Sequence, residues 1–251
     1  MARDHQPSRH RARALAASVV ALVTGGVAAV LTGVPAAAAG LPKGHDVSSH
    51  QRNVDWPSAK AKGARFVYIK ATEATAYRNP YFAQQYNGSR AAGLIRGAYH
   101  FAVPNKSSGK AQAAYFARGG GAWTADGWTL PPALDVEYNP YDKRDKCYGL
   151  SKARMVAWIK SFSDELKRRT GRRPVIYTTT HWWNLCTGGS GAFAANHALW
   201  IARHGSGDAG TLPAGWSYWT FWQYDNSGSL PGDQNLFNGS PNGLRTFARG
   251  D

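Results

Sequence analysis

Cysteine is scarce and the usual metal-ligand spacings are missing. The chain of 251 residues has two cysteines, and its eight histidines include no His-Glu-x-x-His arrangement. Neither a cysteine cage nor a zincin-type centre can be built from such a sequence, so no metal and no added cofactor are expected. There is no internal repeat and no low-complexity linker, which argues against a repeat array or a second domain. Acidic side chains are few, 15 against 30 lysines and arginines, for a formal net charge of +15. A balance that basic draws a protein toward anionic polymers. No nucleic-acid-binding motif accompanies the charge. The one dense patch, Lys167-Arg168-Arg169 with Arg172-Arg173, flanks a helix end where cations also favour the helix dipole. Nucleic acid is therefore not an expected partner.

Long apolar runs are also rare, and the one present is N-terminal. Arg9, Arg11 and Arg13 precede an apolar stretch from Ala14 to about Val34, followed by Pro35 and the small residues Ala36 to Ala39. This is the pattern of a secretory signal with an Ala-x-Ala-type cleavage site. The stretch is long enough to span a bilayer, so an uncleaved anchor is the competing reading. The Ala- and Gly-rich run and the lack of a basic stop-transfer flank favour cleavage. Residues 1–39 read as the signal and 40–251 as one domain, exported and without stable membrane association once cleaved. Taking away the signal's four arginines and one aspartate leaves a net charge of +12. Outside a cell that charge favours anionic wall polymers. An oxidising compartment and an even cysteine count pair Cys147 with Cys186.

Within residues 40–251, β-branched and aromatic runs alternate with helical patterns. Strands are expected at Gly44–Ser48, Arg65–Thr72, Arg96–Phe101, Pro132–Glu137, Pro174–Thr178, Ala198–Ala202 and Thr220–Tyr224. Helices are expected at Trp56–Lys62, Pro80–Ala92, Gly109–Arg118 and Ser151–Thr170. The last has Ser151 as its cap, one apolar face from Met155 to Leu166, and Gly171 as its terminator. The tail after Phe237 reads as turns. Strand–helix alternation implies right-handed crossovers and a parallel sheet. Too little chain separates several strands for full helices, so the expected fold is α/β, a single-domain irregular, incomplete β/α barrel. The active site of such a barrel lies at the strand C-terminal ends.

Asp135-Val136-Glu137 ends one of these strands. Residues two apart in a strand point the same way, so both acids face one pocket. Like charges that close push one pKa up, which suits one group to donate a proton while the other stays ionised. Glycosidic bond hydrolysis uses that pairing. Asp46, Glu73, His100 and Tyr177 also fall near strand C-termini.

The segments Gly44-His-Asp-Val-Ser-Ser-His-Gln51, Phe66-Val-Tyr-Ile-Lys-Ala-Thr-Glu73, Gly97-Ala-Tyr-His-Phe101, Ala133-Leu-Asp-Val-Glu137 and Phe221-Trp-Gln-Tyr224 with Asp233 occur in order across roughly residues 44–240. Together they resemble the family 25 glycoside hydrolases, secreted and phage-encoded lysozymes with N-acetylmuramidase activity. The resemblance implies an irregular β/α barrel that hydrolyses the β-1,4 bond between N-acetylmuramic acid and N-acetylglucosamine in peptidoglycan. It implies Glu137 as proton donor and Asp135 as the second carboxylate, either nucleophile, base, or a group steadying the substrate's acetamido. Asp46 and Asp233 match two further acids of the site, with Asp225 a rival for Asp233. Tyr99, Tyr138 and Tyr177 are the expected sugar contacts, with His100 as a further candidate. Lys70 and Glu73 are read as an ion pair at the rim. Peptidoglycan strands are the expected partner and a monomer the expected state. A chitinase is the runner-up, but aligning Asp-x-x-Asp-x-Asp-x-Glu on Glu137 puts Leu130 and Ala133 where acids belong. A wall-binding module without catalysis has no use for an intact acid pair.

Overall fold

The computed structural model describes residues 40–251; the segment read as an export signal lies outside them. Its strands are β1 (Lys43–Val47), β2 (Phe66–Glu73), β3 (Tyr77–Arg78), β4 (Ile95–Phe101), β5 (Ala133–Asp135), β6 (Val175–Thr178), β7 (Leu199–Ala202), β8 (Phe221–Asp225) and β9 (Asp233–Phe237). β3 hangs on β2 as a short hairpin. The other eight form a closed barrel. Seven run parallel in the order β1, β2, β4, β5, β6, β7, β8, and β9 fits antiparallel between β8 and β1.

The helices are α1 (Trp56–Ala61), α2 (Phe82–Ala91), α3 (Gly109–Arg118), α4 (Lys152–Thr170), α5 (Thr180–Thr187) and α6 (Pro241–Arg249). Among the described residues no helix connects β7 to β8 or β8 to β9. The expected incompleteness therefore lies in the helical ring, while the sheet itself closes. Two helices, α5 and α6, and two strands, β3 and β9, go beyond the sequence expectation. α6 occupies the tail that reads as turns: Ser240 caps it by accepting from the Gly243 N–H, Pro241 starts it, and left-handed Gly250 ends it. β9 begins at Asp233, where no strand was expected.

Strand alternation divides the apolar side chains into two layers. Facing inward are Phe66, Tyr68, Ile95, Ala133, Val175, Trp200, Phe221 and Phe237, closed below by Leu244 and Ala248 of α6. Tyr68 stacks on Trp200 at 4.8 Å between ring centres and meets Phe221 edge-on at 5.5 Å. Gly97 of β4 makes room for that stack, because a Cβ there would stand 2.5 Å from the Tyr68 ring. Outward residues Ala98 of β4, Leu134 of β5 and Val136 just past it pack with Phe116 of α3 and with Met155, Trp158, Ile159, Phe162 and Leu166 of α4. The predicted face of α4 is the buried one, and Ser151 and left-handed Gly171 bound it. Burying these large side chains supplies most of the driving force for closure, at roughly 1.5–3 kcal/mol for each full-sized one.

Cys147 and Cys186 form a disulfide, with 5.4 Å between Cα atoms. It ties the loop after Glu137 to α5 and closes a ring spanning 39 positions, a constraint worth roughly 3–4 kcal/mol.

Candidate active site

The interior aromatic stack is the floor of a small cavity at the C-terminal end of the parallel strands. Its volume is about 70 Å³, and it is lined by Asp46, Tyr99, Asp135, Glu137, Tyr177, Trp200, Gln223 and Asp233. A shallower cleft beside it, about 230 Å³, shares the four acids and adds Lys70, Phe101 and the Ser48–Gln51 turn after β1. All four predicted carboxylates thus converge, and they come from three strand ends. Asp46 of β1 stands directly across from Asp233 of β9 in the antiparallel register. Asp135 ends β5, and the Val136 N–H bonds to the Tyr177 carbonyl at 3.0 Å. That bond carries the extended pairing one residue further, so Glu137 points into the barrel as Asp135 does.

The Asp46–Asp233 pair is held by amides. Asp46 Oδ2 accepts from Gln223 Nε2 at 2.8 Å and from Asn235 Nδ2 at 2.7 Å. Gln223 Nε2 also reaches Asp233 Oδ2 at 3.3 Å. With its amino end committed to carboxylates, Gln223 offers its oxygen to the Tyr177 hydroxyl at 2.9 Å and to His204 Nε2 at 2.7 Å. His204 therefore carries its proton on Nε2. Asn235 in turn accepts from the Trp200 indole N–H at 2.7 Å. The turn before Asp233 is tight. Gly232 takes φ 77°, and a Cβ there would fall 2.0 Å from the Asp46 carbonyl oxygen, so only glycine fits.

The Asp135–Glu137 pair has no such clamp. Asp135 is 5% exposed, and its Oδ1 is buried without a hydrogen-bond partner. Burial, then the neighbouring Glu137 charge, hold its carboxyl well above the usual carboxylate range. Burial also pushes Glu137 up to about 7, against the opposing pull of Lys70. Asp46 rises to about 8 through burial and then Asp233, and burial raises Asp233 as well. Four acids in one buried cup cannot all ionise together, and the site holds protons near neutrality.

Other predicted residues divide. Tyr99 and Tyr177 line the cavity, each meeting Trp200 edge-on, at 6.2 and 4.8 Å. His100 does not reach it. It lies one residue past Tyr99 and so faces outward, fully buried, with Nδ1 2.8 Å from the Thr72 hydroxyl and Nε2 2.9 Å from Gln112. Burial lowers its pKa to about 4, and it is a structural histidine beneath α3. Tyr138 is likewise one residue out of phase with Glu137. Its hydroxyl bonds His181 Nδ1 at 2.6 Å, and its ring packs on the outer core. Asp225 accepts from the Ser227 N–H and hydroxyl, both at 3.1 Å, in an exposed turn; Asp233 is the one that lines the cavity. Lys70 and Glu73 pair at 2.6 Å beside the cleft, and Glu73 also accepts from Tyr141. Sequence reasoning missed the amide clamp. Gln223 was legible only as part of Phe-Trp-Gln-Tyr, and Asn235 only as the residue two past Asp233.

A β/α barrel with several carboxylates at its strand ends, one of them protonated near neutral pH, has the equipment of a glycoside hydrolase. The family model for glycosyl hydrolases family 25 matches residues 45–233. Lysozyme M1 of Streptomyces globisporus is 48% identical over 211 residues, covering 82% of this chain and 71% of that protein. An N,O-diacetylmuramidase of Chalaropsis sp is 47% identical over 83% of this chain and 99% of its own length. The solved structure of a muramidase from Acremonium alcalophilum superposes with a TM-score of 0.81 at 52% identity, covering 84% of this chain and 100% of that one. The chain belongs to glycosyl hydrolase family 25 and is a hydrolase of the lysozyme type.

Proposed function

We propose that this chain hydrolyses the β-1,4 bond between N-acetylmuramic acid and N-acetylglucosamine in bacterial cell-wall peptidoglycan, outside the cell, with Glu137 as general acid assisted by Asp135. The observation that carries the reading is the convergence of Asp46, Asp135, Glu137 and Asp233 on one cavity at the barrel's strand ends. The muramidase relatives and the basic-then-apolar N-terminus support the substrate and the exported location.

Glu137 is half-buried at the boundary of cavity and cleft. With a pKa of about 7, it still holds a proton where most carboxyls have lost theirs, and it gives that proton to the departing sugar oxygen. Asp135 lies deeper, and its unpartnered Oδ1 is an acceptor lacking a donor. An acetamido N–H on the sugar beside the scissile bond supplies one. Bonded so, Asp135 orients the acetamido oxygen to attack the anomeric carbon as the Glu137 proton is transferred. This reading is favoured over direct nucleophilic attack because the buried Asp135 Oδ1 is an acceptor that no protein group satisfies. Asp46 and Asp233, fixed by Gln223 and Asn235 and raised by burial and by each other, share a proton and supply one negative charge beside the oxocarbenium-like transition state.

Mass spectrometry of peptidoglycan digests tests the bond. New reducing ends on N-acetylmuramic acid support it; ends on N-acetylglucosamine, or cleavage of chitin alone, overturn it.

A further inference from the structure

The end of the barrel opposite the acids is basic, and the topology explains why. Helices α1, α2 and α4 each lead back into a parallel strand, so their last turns come to the strands' N-terminal end. Those turns carry Lys60, Arg90 and Lys167-Arg168-Arg169, and none of these helices has an acid in its first turn. The helix dipole accounts for some of that charge. It does not account for Arg65 before β2, Arg172 before β6 or Arg245 in the middle of α6.

These residues form a continuous stripe. Lys60 has its pKa lowered by partial burial and then by the Arg65 and Arg245 charges. Arg245 and Arg90 each lie 4.0 Å from the centre of the Trp128 ring, which places them on its two opposite faces. Trp123 donates to the Ala248 carbonyl of α6 and lies beneath Arg172 at 5.3 Å. Arg172 donates to Gly250 O, and with Lys167 and Arg173 it lines a groove of about 410 Å³. Among the described residues Arg65, Arg90, Lys167, Arg172 and Arg245 make no ion pair. A run of unneutralised cations fixed in place, not scattered, is a binding surface for a chain of negative charge.

We propose that this stripe, from α1 across α6 to the end of α4, binds a phosphodiester-linked polyol polymer of the cell wall. Nucleic acid fits less well. Single-stranded binding stacks bases on free aromatic faces, and here both faces of Trp128 are covered by guanidinium groups. Such a surface reads phosphate and leaves bases unread. Because the stripe and the acid-lined cavity occupy opposite ends of the barrel, a bound polymer leaves the cavity open to glycan.

The test uses poly(glycerol phosphate), which has no glycosidic bond, so its outcome is independent of the hydrolytic reading. Affinity of the full chain is measured by anisotropy of labelled polymer at 50 and 200 mM salt. Four phosphate contacts at the single-strand slope predict roughly 50-fold weaker binding at the higher salt. Two variants of equal charge change are compared: Lys62→Glu, Arg65→Glu, Lys167→Glu, Arg245→Glu at the base, and Lys106→Glu, Lys110→Glu, Lys143→Glu, Arg154→Glu at the cavity end. All eight side chains are exposed. The proposal expects the base variant to lose at least tenfold in affinity and most of its salt dependence, and the other to bind within about threefold of wild type. Equal loss in both would mean net charge alone, and no loss in either would mean no stripe; both overturn it. So does binding to single-stranded oligonucleotide or to phosphatidylglycerol vesicles without binding to the polymer. Should the fourfold base variant unfold, the pairs Lys62→Glu/Arg65→Glu and Lys167→Glu/Arg245→Glu carry the same comparison.

Discussion

The two carboxylate pairs share one cavity but differ in what holds them. Asp46 and Asp233 face each other across an antiparallel ladder and are bridged by the Gln223 amide. Asp135 and Glu137 sit two apart on one strand end, and Asp135 keeps a buried oxygen with no partner. A clamped acid cannot move to meet a substrate, but it can hold a fixed field. An unclamped one is costly to bury and is free to bond whatever arrives. The contrast teaches a division of labour: the strand pair takes part in bond-making, and the ladder pair sets the electrostatics.

The comparison breaks most visibly at Glu137. Glu137→Gln should lower kcat on peptidoglycan by about 10³-fold, within the range for removing a general acid, with the melting temperature unchanged. Full activity in that variant would sink the assignment. Asp135→Asn should cost about 10²-fold, since the amide can still accept from an acetamido N–H but cannot take a developing charge. Asp46→Asn should cost only about tenfold, because its oxygen can still accept from Gln223 and Asn235. A larger loss at Asp46 than at Asp135 would reverse the division drawn above.

Stability should separate the pairs too. Asp46 has a folded pKa of about 8 against an ordinary value of 3.8. Between those pH values the folded state binds more protons, so this group's stabilising effect is complete below pH 3.8 and is lost as pH rises through 8. Asp46→Asn removes that loss. It should stabilise the protein at pH 8 by at least about 1.4 kcal/mol, one pKa unit's worth, and do little at pH 4. Denaturant titrations at the two pH values read this directly; equal effects at both would show that burial does not penalise the ionised form.

Much of this was legible in the sequence, for physical reasons that also explain the rest. Strands facing helices announce themselves by continuous apolar runs, and the Asp135–Glu137 spacing forces two acids onto one face. β9 was not legible because its inner and outer sides carry buried amides: Gln234 and Asn235 are 3% and 1% exposed. Polar side chains that satisfy buried carboxylates and carbonyls look like turn chemistry when read alone. His100 and Tyr138 were placed in the site because they lie near strand ends, yet a single residue of phase sends each outward. α6 did leave a signal, Ser-Pro at its start and Gly at its end, which the surrounding Asn-Gly pairs obscured.

The smallest expected effect is the most diagnostic for Glu137. Its carboxyl must be protonated to act, so kcat/KM should fall as pH rises past about 7. The Lys70 ammonium favours the ionised form and holds that value down. Lys70→Met removes the attraction, and the alkaline limb should move to higher pH. Glu73 neutralises part of Lys70 across 2.6 Å, so Glu73→Gln leaves Lys70 uncompensated and should move the limb the other way. Opposite shifts from the two halves of one ion pair are hard to produce by loosening the structure, which would move both limbs alike. If all three pH profiles coincide, the limb belongs to another group, and Asp135 or Asp46 becomes the proton donor to test.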